Sequence, residues 1–472
     1  MLGRDSKIIK VGSVFQMLRQ ATDRPLLLVL GFIARSIINY MPSFISGVRR
    51  SPDDDVSVTE WFKRFVGSTE PLERVFSAVL HGTTGSHPDI MSMREYQYIA
   101  YRNLYHKRPK SVKRRTSREQ VAVRPQDIDL LYAMERSLGD ISKQLDANSR
   151  QAHYAIVGGL QALTDHLANL LQTQPNTELR KSEPVIEIRH LPSSGQVSTT
   201  SRSTASGKFS TREHDLVISA IAAERLVEIV LPSSLPSLES CRSTTIQTVN
   251  LWYPPQETPL VSPNSLGYLI PLSTSRRDNP HRALGVLFDH NVMPSVAGEP
   301  SGTKLFVLMG GHYYDSELSP PASDAEAIQQ ARETVSRHLD IPLSLEPGAA
   351  MATLATGCIP QLNVGHAKRM AAAHEELLAT FSGQLHVAGP SYGGSGVLGS
   401  IRAGWDAARR VTNRTRGLVD GFRDDTGLAR FAQQQRDGLY LDEFVPRSFR
   451  AKFRPAPTPR ESRASQTKAE KR

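Results

Sequence analysis

Between Leu385 and Ala408 the chain changes character twice, and few folds accommodate the result. Leu385, Val387 and Ala388 are apolar and read as a short extended segment. Gly389, Pro390, Ser391, Tyr392, Gly393, Gly394, Ser395 and Gly396 form a glycine-rich turn, and Ile401, Ala403, Gly404, Ala407 and Ala408 then recur at helical spacing. The order strand, turn, helix has a physical use. Backbone without β-carbons lets a ligand come close, and the helix start presents unpaired N–H groups and a positive dipole end to an anion. Gly394, Gly396 and Gly399 also have the glycine spacing of a dinucleotide fingerprint. Such a fingerprint belongs to a strand–helix–strand unit with an acidic residue about 20 positions further on. After Ala408 the chain runs Arg409, Arg410, Val411, Thr412, Asn413 and Arg414 with no strand pattern, and Asp420 lies in polar surroundings, so the spacing is read as coincidental.

Composition narrows the function classes. With 472 residues, 39% of them hydrophobic and 22% charged, the chain is a folded protein large enough for two or three domains. The net charge of +10 is concentrated in residues 107–118 and 447–472. Neither cluster alternates with stacking aromatics, which argues against a nucleic-acid surface. The two cysteines, Cys241 and Cys358, fit neither a metal spacing nor a disulfide framework. The longest apolar run, Leu26 to Ala34, is stopped by Arg35, well short of the roughly 20 residues a bilayer span requires. A serine–histidine–acid set, a metal cluster, paired carboxylates and a lysine-bearing phosphate loop are all missing from the pattern.

Taken in order, residues 1–50 are apolar and basic. They read either as core helices or as a monotopic membrane surface, with Arg35, Arg49 and Arg50 near headgroups. Ser51–Asp55 is a polar break and helix entry, after which Val56, Val58, Trp61, Phe62 and Phe65 share an apolar face. His81 reads as a helix cap or a solvated group. Ile128, Leu131, Met134, Leu138, Ile141 and Leu145 form a helical stripe. Gly158 and Gly159 open a helix with Leu160, Leu163, Leu167, Leu170 and Leu171, and Val185 opens a strand through Ile186 and Ile188. The serine- and threonine-rich segment 191–212 reads as a long hairpin loop or a flexible insertion. Asp215–Ile221 reads as a strand leading into Ala222–Val230. Strands are expected at Thr245–Tyr253, Gly267–Ile270, Ala283–Phe288 and Lys304–Met309. Ser323 with Glu326 is a capping box for a helix through Leu339, and a further amphipathic helix covers Ala367–Thr380. Beyond Val411, one helix is expected from Phe431, and residues 455–472 read as disordered.

Two segments together resemble a known family. Ala388-Gly389-Pro390-Ser391-Tyr392-Gly393-Gly394-Ser395-Gly396-Val397, with Ile401, Gly404, Ala407 and Ala408, resembles the carboxy-terminal flavin segment of oxygen-dependent protoporphyrinogen oxidases, within the wider flavin amine-oxidase group. Cys358, Ile359, Pro360, Gln361, Gly365 and His366 resemble the family segment that precedes it. The resemblance implies an α/β flavoprotein of several parts. These are a helical membrane- and substrate-facing region (1–153), part of an incomplete Rossmann-like FAD domain (154–240), a β-sheet substrate domain (241–357), a carboxy-terminal FAD segment (358–411) and a basic tail (412–472).

The same resemblance implies FAD as cofactor, with Val185, Gly389, Pro390, Ser395, Gly396 and Val397 as cofactor contacts. It implies Gly82, in the segment Leu80-His81-Gly82-Thr83-Thr84-Gly85, and Leu269, Leu287 and Leu308 as contacts to protoporphyrinogen IX. Periodicity alone reads those leucines equally well as core. The implied reaction is oxidation of protoporphyrinogen IX by molecular oxygen at the mitochondrial inner membrane surface, in a possible homodimer, without nucleic acid or metal. A non-catalytic porphyrin- or membrane-binding relative and an amine oxidase with another substrate stay open. In this family a strand, glycine-rich turn and helix for the ADP half of FAD come first, whereas Met1 corresponds to the later membrane-associated helices. The expectation is therefore of weak FAD binding and no activity for the chain as it stands.

Overall fold

The computed structural model describes residues 30–35, 38, 55–96, 120–123, 156–232, 234–262, 265–292, 299–415, 425–437 and 443–446. The expectations for residues 8–29, 39–48, 107–118, 128–145 and 455–472 lie outside them. The chain divides into two compact units, Met1–Lys107 with Ala155–Asp437, and Arg108–Tyr154 with Gly438–Arg472. In the second, β1 (Gln120–Val123) pairs antiparallel with β12 (Glu443–Pro446).

The first unit opens with helix α1 (Val58–Val66), capped by the Ser57 hydroxyl accepting from Glu60 N–H. The start therefore falls beyond the Ser51–Asp55 break, where the Ser57 hydroxyl satisfies a free amide of the first turn. Val56, Val58, Trp61 and Phe62 are buried as the apolar face predicts, and Phe65 is half-buried. A π turn at Leu72–Phe76 leads into α2 (Ser77–Thr84), closed by Gly85 in the left-handed region. Gly82 is thus inside a helix, and the chain turns at Gly85. Helix α3 (Gly159–Gln172) enters through Gly158 as expected. Its leucines are not core: Leu160, Leu167, Leu170 and Leu171 are all exposed.

β2 (Val185–Leu191), β3 (Gln196–Arg202) and β4 (Phe209–His214) form an antiparallel meander, so of the two readings of 191–212 the hairpin holds, as paired strands, and the flexible insertion does not. Threonine favours strands, and only Val197 of β3 is buried, so a half-solvated sheet suits this polar composition. β5 (Val217–Ser219) does not join that sheet. It pairs in parallel with β11 (Leu385–Val387) and is followed by α4 (Ala223–Ile229).

The large sheet has the order β10-β6-β9-β8-β7, with β6 (Ser243–Tyr253), β7 (Gly267–Leu269), β8 (Ala283–Phe288), β9 (Thr303–Gly310) and β10 (Ala349–Pro360), every neighbouring pair antiparallel. β10 carries the sheet on to Pro360. Short helix α5 (His312–Ser316) follows β9. Helix α6 (Asp324–Leu339) is capped by Ser323 as read from sequence, and its Ala327, Ala331 and Val335 pack on Val249, Val286 and Val307. Around the parallel pair, α4, α7 (His366–Phe381) and α10 (Ala429–Asp437) enclose a second core of Leu226, Met370, Leu377, Phe381, Leu428 and Phe431. Residues 425–433, taken in sequence as part of a tail, are therefore integral to it.

Leu377→Ala should remove a fully buried side chain from this core and destabilise the first unit by about 2–5 kcal/mol, read as a lower urea midpoint.

Candidate functional site

The glycine turn is built on the carboxyl ends of β5 and β11. Leu385 opposes Val217 and Val387 opposes Ser219. Past the strands, Ala388 N–H donates to Ser219 O at 2.9 Å. Gly389 takes φ 115°, and Pro390–Gly393 forms the one-turn helix α8 inside what the sequence reads as a continuous turn. Gly394 (φ 134°) and Gly396 (φ 90°) lead into α9 (Val397–Thr415), with no atom within 4 Å of where a β-carbon would stand on either glycine. Gly399 is different, because a β-carbon there would be 2.3 Å from Gly394 O. The open front of the turn and the closed back of its helix thus require glycine for opposite reasons.

Side chains that sequence reasoning passed over hold this turn. Ser391 Oγ accepts from Ala223 N–H at 3.3 Å, and Tyr392 Oη donates to Ile221 O at 3.3 Å. Tyr392 is buried, and loss of solvation pushes its phenol well above the ordinary range. Arg430 Nη2 lies 3.4 Å from the carbonyls of Tyr392 and Gly393, Arg410 Nη2 lies 3.4 Å from Val387 O, and Val387 N–H donates to Thr426 O at 2.8 Å. The periodic alanines of α9 signal a helix, but nothing in the sequence links Arg430 to a loop many residues earlier.

Among the expected cofactor contacts, Gly389, Pro390, Ser395, Gly396 and Val397 lie on this one turn, and Ser395, Gly396 and Val397 face solvent. Val185 stands apart. It opens β2 opposite Ser201, exposed, on the antiparallel meander.

The expected substrate contacts converge. Register places Leu269 opposite Gly285, Gly285 opposite Leu308, and Leu308 opposite Thr248. Directly paired residues of an antiparallel sheet share a face, and residues two apart on a strand share it too. Leu287, two residues from Gly285, therefore joins Leu269 and Leu308 on one face, and all three are half-buried. The valines of the opposite face are buried under α6. Helix α2 covers one end of the leucine face. A β-carbon on Gly82 would be 2.9 Å from Leu269 Cδ2, and one on Gly285 would be 2.7 Å from the same atom. Leu269 is thus gripped between two glycines.

His81 is fully buried, which corrects the reading of a cap or solvated group. Its Nε2 lies 2.5 Å from Ile270 O and its Nδ1 lies 3.1 Å from His312 Nε2. A carbonyl only accepts, so Nε2 carries the proton of neutral His81, and Nδ1 accepts from His312 Nε2–H. Burial lowers His81 to about 4, against the raising effect of the Ile270 carbonyl and with a further lowering by His87. His312 is lowered to about 3 by burial and by His81, His87 and Arg282. On its outer side His312 borders a cavity of about 360 Å³ lined by Glu73, His87, Asp89, Arg282 and Glu317. Arg282 donates to Glu317 at 2.9 Å and stands over the Tyr313 ring. Among the described residues no group of three or more histidine, cysteine or acidic side chains could hold a metal ion.

Comparison with known proteins assigns the family. The model of the flavin containing amine oxidoreductases matches residues 114–412, so the chain belongs to that family. A protoporphyrinogen oxidase from Macaca fascicularis is 30% identical over 267 residues, covering 56% of this chain and 52% of the relative, so the chain spans about half the length of that protein. A protoporphyrinogen oxidase from Saccharomyces cerevisiae is 25% identical over 407 residues, covering 80% of this chain and 71% of the relative. A crystal structure from Exiguobacterium sp., provisionally assigned as a protoporphyrinogen oxidase, shares the fold with a TM-score of 0.54 at 17% identity over 78% of this chain and 69% of its own.

Family membership makes FAD the cofactor. The glycine turn fits it. Ligands of parallel sheets bind beyond the carboxyl ends of the strands, and here those ends carry two positive-φ glycines with open space before them and the first turn of a 19-residue helix.

Two outcomes follow for these groups. Gly396→Asp places a negative charge in the open space before the turn, so FAD retained by the loaded chain through gel filtration should fall at least tenfold, while far-UV circular dichroism is unchanged. His81, lowered from 6.5 to about 4, binds its proton more tightly in the unfolded chain. Its contribution to stability is therefore present above pH 6.5 and lost as pH falls through that window towards 4. Between pH 7 and pH 5 this histidine should account for about 2 kcal/mol of lost unfolding free energy, and His81→Gln should remove that part of the slope in urea titrations.

Proposed function

We propose that this chain carries the flavin turn and the porphyrin face of an oxidase that converts protoporphyrinogen IX to protoporphyrin IX with molecular oxygen. The observation that carries the reading is the row of Leu269, Gly285 and Leu308, with Leu287 beside it, on one half-open face of the β7–β10 sheet. The hydrocarbon body of a tetrapyrrole suits such a surface, aliphatic and level across a glycine. The relatives that share about a quarter to a third of the sequence are named for this activity.

Bound FAD would supply the two-electron acceptor for a substrate carbon–hydrogen bond, with oxygen as the terminal oxidant reduced to hydrogen peroxide in each of the repeated two-electron oxidations. The chain's own groups position and exclude. Gly394, Gly396 and the N-terminus of α9 would take the cofactor, and the leucines would orient the macrocycle and keep water from the reacting bond, a contribution of several kcal/mol when geometry is right. No base is assigned. His81 stands beside Gly82, yet both its ring nitrogens are engaged, with Ile270 O and His312.

Attachment to the surface of the mitochondrial inner membrane belongs to the same proposal. Leu30, Ile33 and Ile38 are 49%, 45% and 66% exposed, while Phe32 between them packs on Phe62 and Phe76. Apolar side chains turned outward beside an anchored ring suit a lipid surface. No described helix is long and apolar enough to cross a membrane.

The test is oxygen uptake by the FAD-loaded chain with protoporphyrinogen IX or a primary alkylamine, alongside quenching of protoporphyrin IX fluorescence. Porphyrin binding weakened more than tenfold by Leu308→Asp is expected, and whatever uptake the chain supports is expected with the porphyrinogen alone. Uptake with the amine and no porphyrin binding would assign the chain to another substrate.

A further inference from the structure

The leucine face has a mechanical support that the relatives' names do not mention. Helix α2 and the π turn before it run alongside the segment that leaves β7, and three contacts at four-residue intervals join them. Ser273 N–H donates to Glu73 O at 3.2 Å, Leu272 N–H donates to Ser77 Oγ at 3.0 Å, and His81 Nε2–H donates to Ile270 O at 2.5 Å. Residues 73, 77 and 81 lie on one helical stripe, so the contacts act as a seam. The Ile270 N–H is held from the other side by Leu284 O at 3.0 Å. Both backbone groups of the residue after Leu269 are therefore fixed.

His81 extends the seam to a third element. Through His312 it reaches α5, which follows β9, the strand of Leu308. The same junction is closed by backbone: His312 N–H donates to Gly85 O at 2.7 Å, and a β-carbon on Gly311 would be 2.7 Å from that oxygen. The three parts of the face, namely Gly82 on α2, Leu269 on β7 and Leu308 on β9, are thus linked through one imidazole pair.

We propose that the His81–His312 pair is a positioning latch for the porphyrin face: it fixes the Leu269 wall relative to Gly82 and Leu308 and so determines affinity for the macrocycle without touching it. The latch rests on the porphyrin reading of the leucine face. Ile270 O is already occupied by His81 Nε2–H, and His81 Nδ1 by His312, so His81 has no free nitrogen with which to act on substrate directly. An apolar isostere would leave the Ile270 carbonyl and the His312 N–H unpaired in a buried site, and the backbone after Leu269 would move to satisfy them. Glutamine reaches as far as the imidazole Nε2 and restores the donor to Ile270 O.

The experiment is quenching of protoporphyrin IX fluorescence by the full chain, with urea unfolding measured on the same preparations. Wild type should bind; His81→Phe should weaken binding at least tenfold, His81→Gln should recover most of it, and His312→Ala, which spares the Ile270 bond, should weaken it about threefold. Recovery by glutamine identifies the donor to Ile270 as the cause, since a stability effect alone would give variants whose affinity is unchanged once folded. If His81→Phe does not fold, the order wild type, His81→Gln, His312→Ala still decides. Equal affinities in all folded variants overturn the latch and leave the porphyrin reading standing. Failure of wild type to bind protoporphyrin IX overturns the porphyrin reading, and the latch with it.

Discussion

The parallel contact between β5 and β11 is the constraint on which the candidate cofactor site depends. Each strand is three residues long, too short to hold itself in place. What fixes them is the surrounding layer: α7 on the core side, Thr426 O accepting from Val387 N–H, and Arg410 and Arg430 reaching the carbonyls of the strand and turn. Ser391 Oγ and Ala223 N–H then join residues 168 positions apart. A turn of eight residues with four glycines has little structure of its own, because glycine loses the most conformational freedom on ordering. Its shape is imposed by these neighbours, and its outer surface is left open.

The half-open leucine face follows from a different device, the placing of small residues where large ones must interlock. Gly82 and Gly285 leave room for one leucine between a helix and a sheet, and Gly85 and Gly311 let two backbones meet at the far end of the same helix. Close approach allows direct bonds between elements, such as His312 N–H to Gly85 O, where side chains would otherwise intervene. The packed face of the sheet under α6 has ordinary valine and alanine contacts, so the sheet is rigid from behind and selective in front.

Burial decides the charge state of the histidines that join these elements. For His81 the Ile270 carbonyl favours the protonated ring, but desolvation outweighs it, and for His312 desolvation acts with the neighbouring His81, His87 and Arg282 in the same direction. The pair is neutral at pH 7, which allows one ring to donate to the other. Two cations at that distance would repel in a low-dielectric interior.

Sequence by itself determined the local elements and the family. The strands at Thr245–Tyr253, Gly267–Ile270, Ala283–Phe288 and Lys304–Met309, the Ser323 cap, the helix over Ala367–Thr380 and the strand, turn and helix around Gly389–Gly396 are all legible, because alternation, helical periodicity, caps and glycine turns are short-range signals. The flavin family was legible for the same reason, since its motif is contiguous. What only tertiary structure decided is which of these segments meet. That β5 pairs with β11 rather than with β2, that Val185 lies on a separate meander, and that three leucines from three strands share a face depends on register between distant segments. The extent of strand pairing in the serine- and threonine-rich hairpin and the burial of His81 were missed for a related reason. Polar composition predicts solvent, but a strand half-covered on one face or an imidazole with two buried partners satisfies polar groups internally, and those partners lie too far along the chain for any local pattern to reveal.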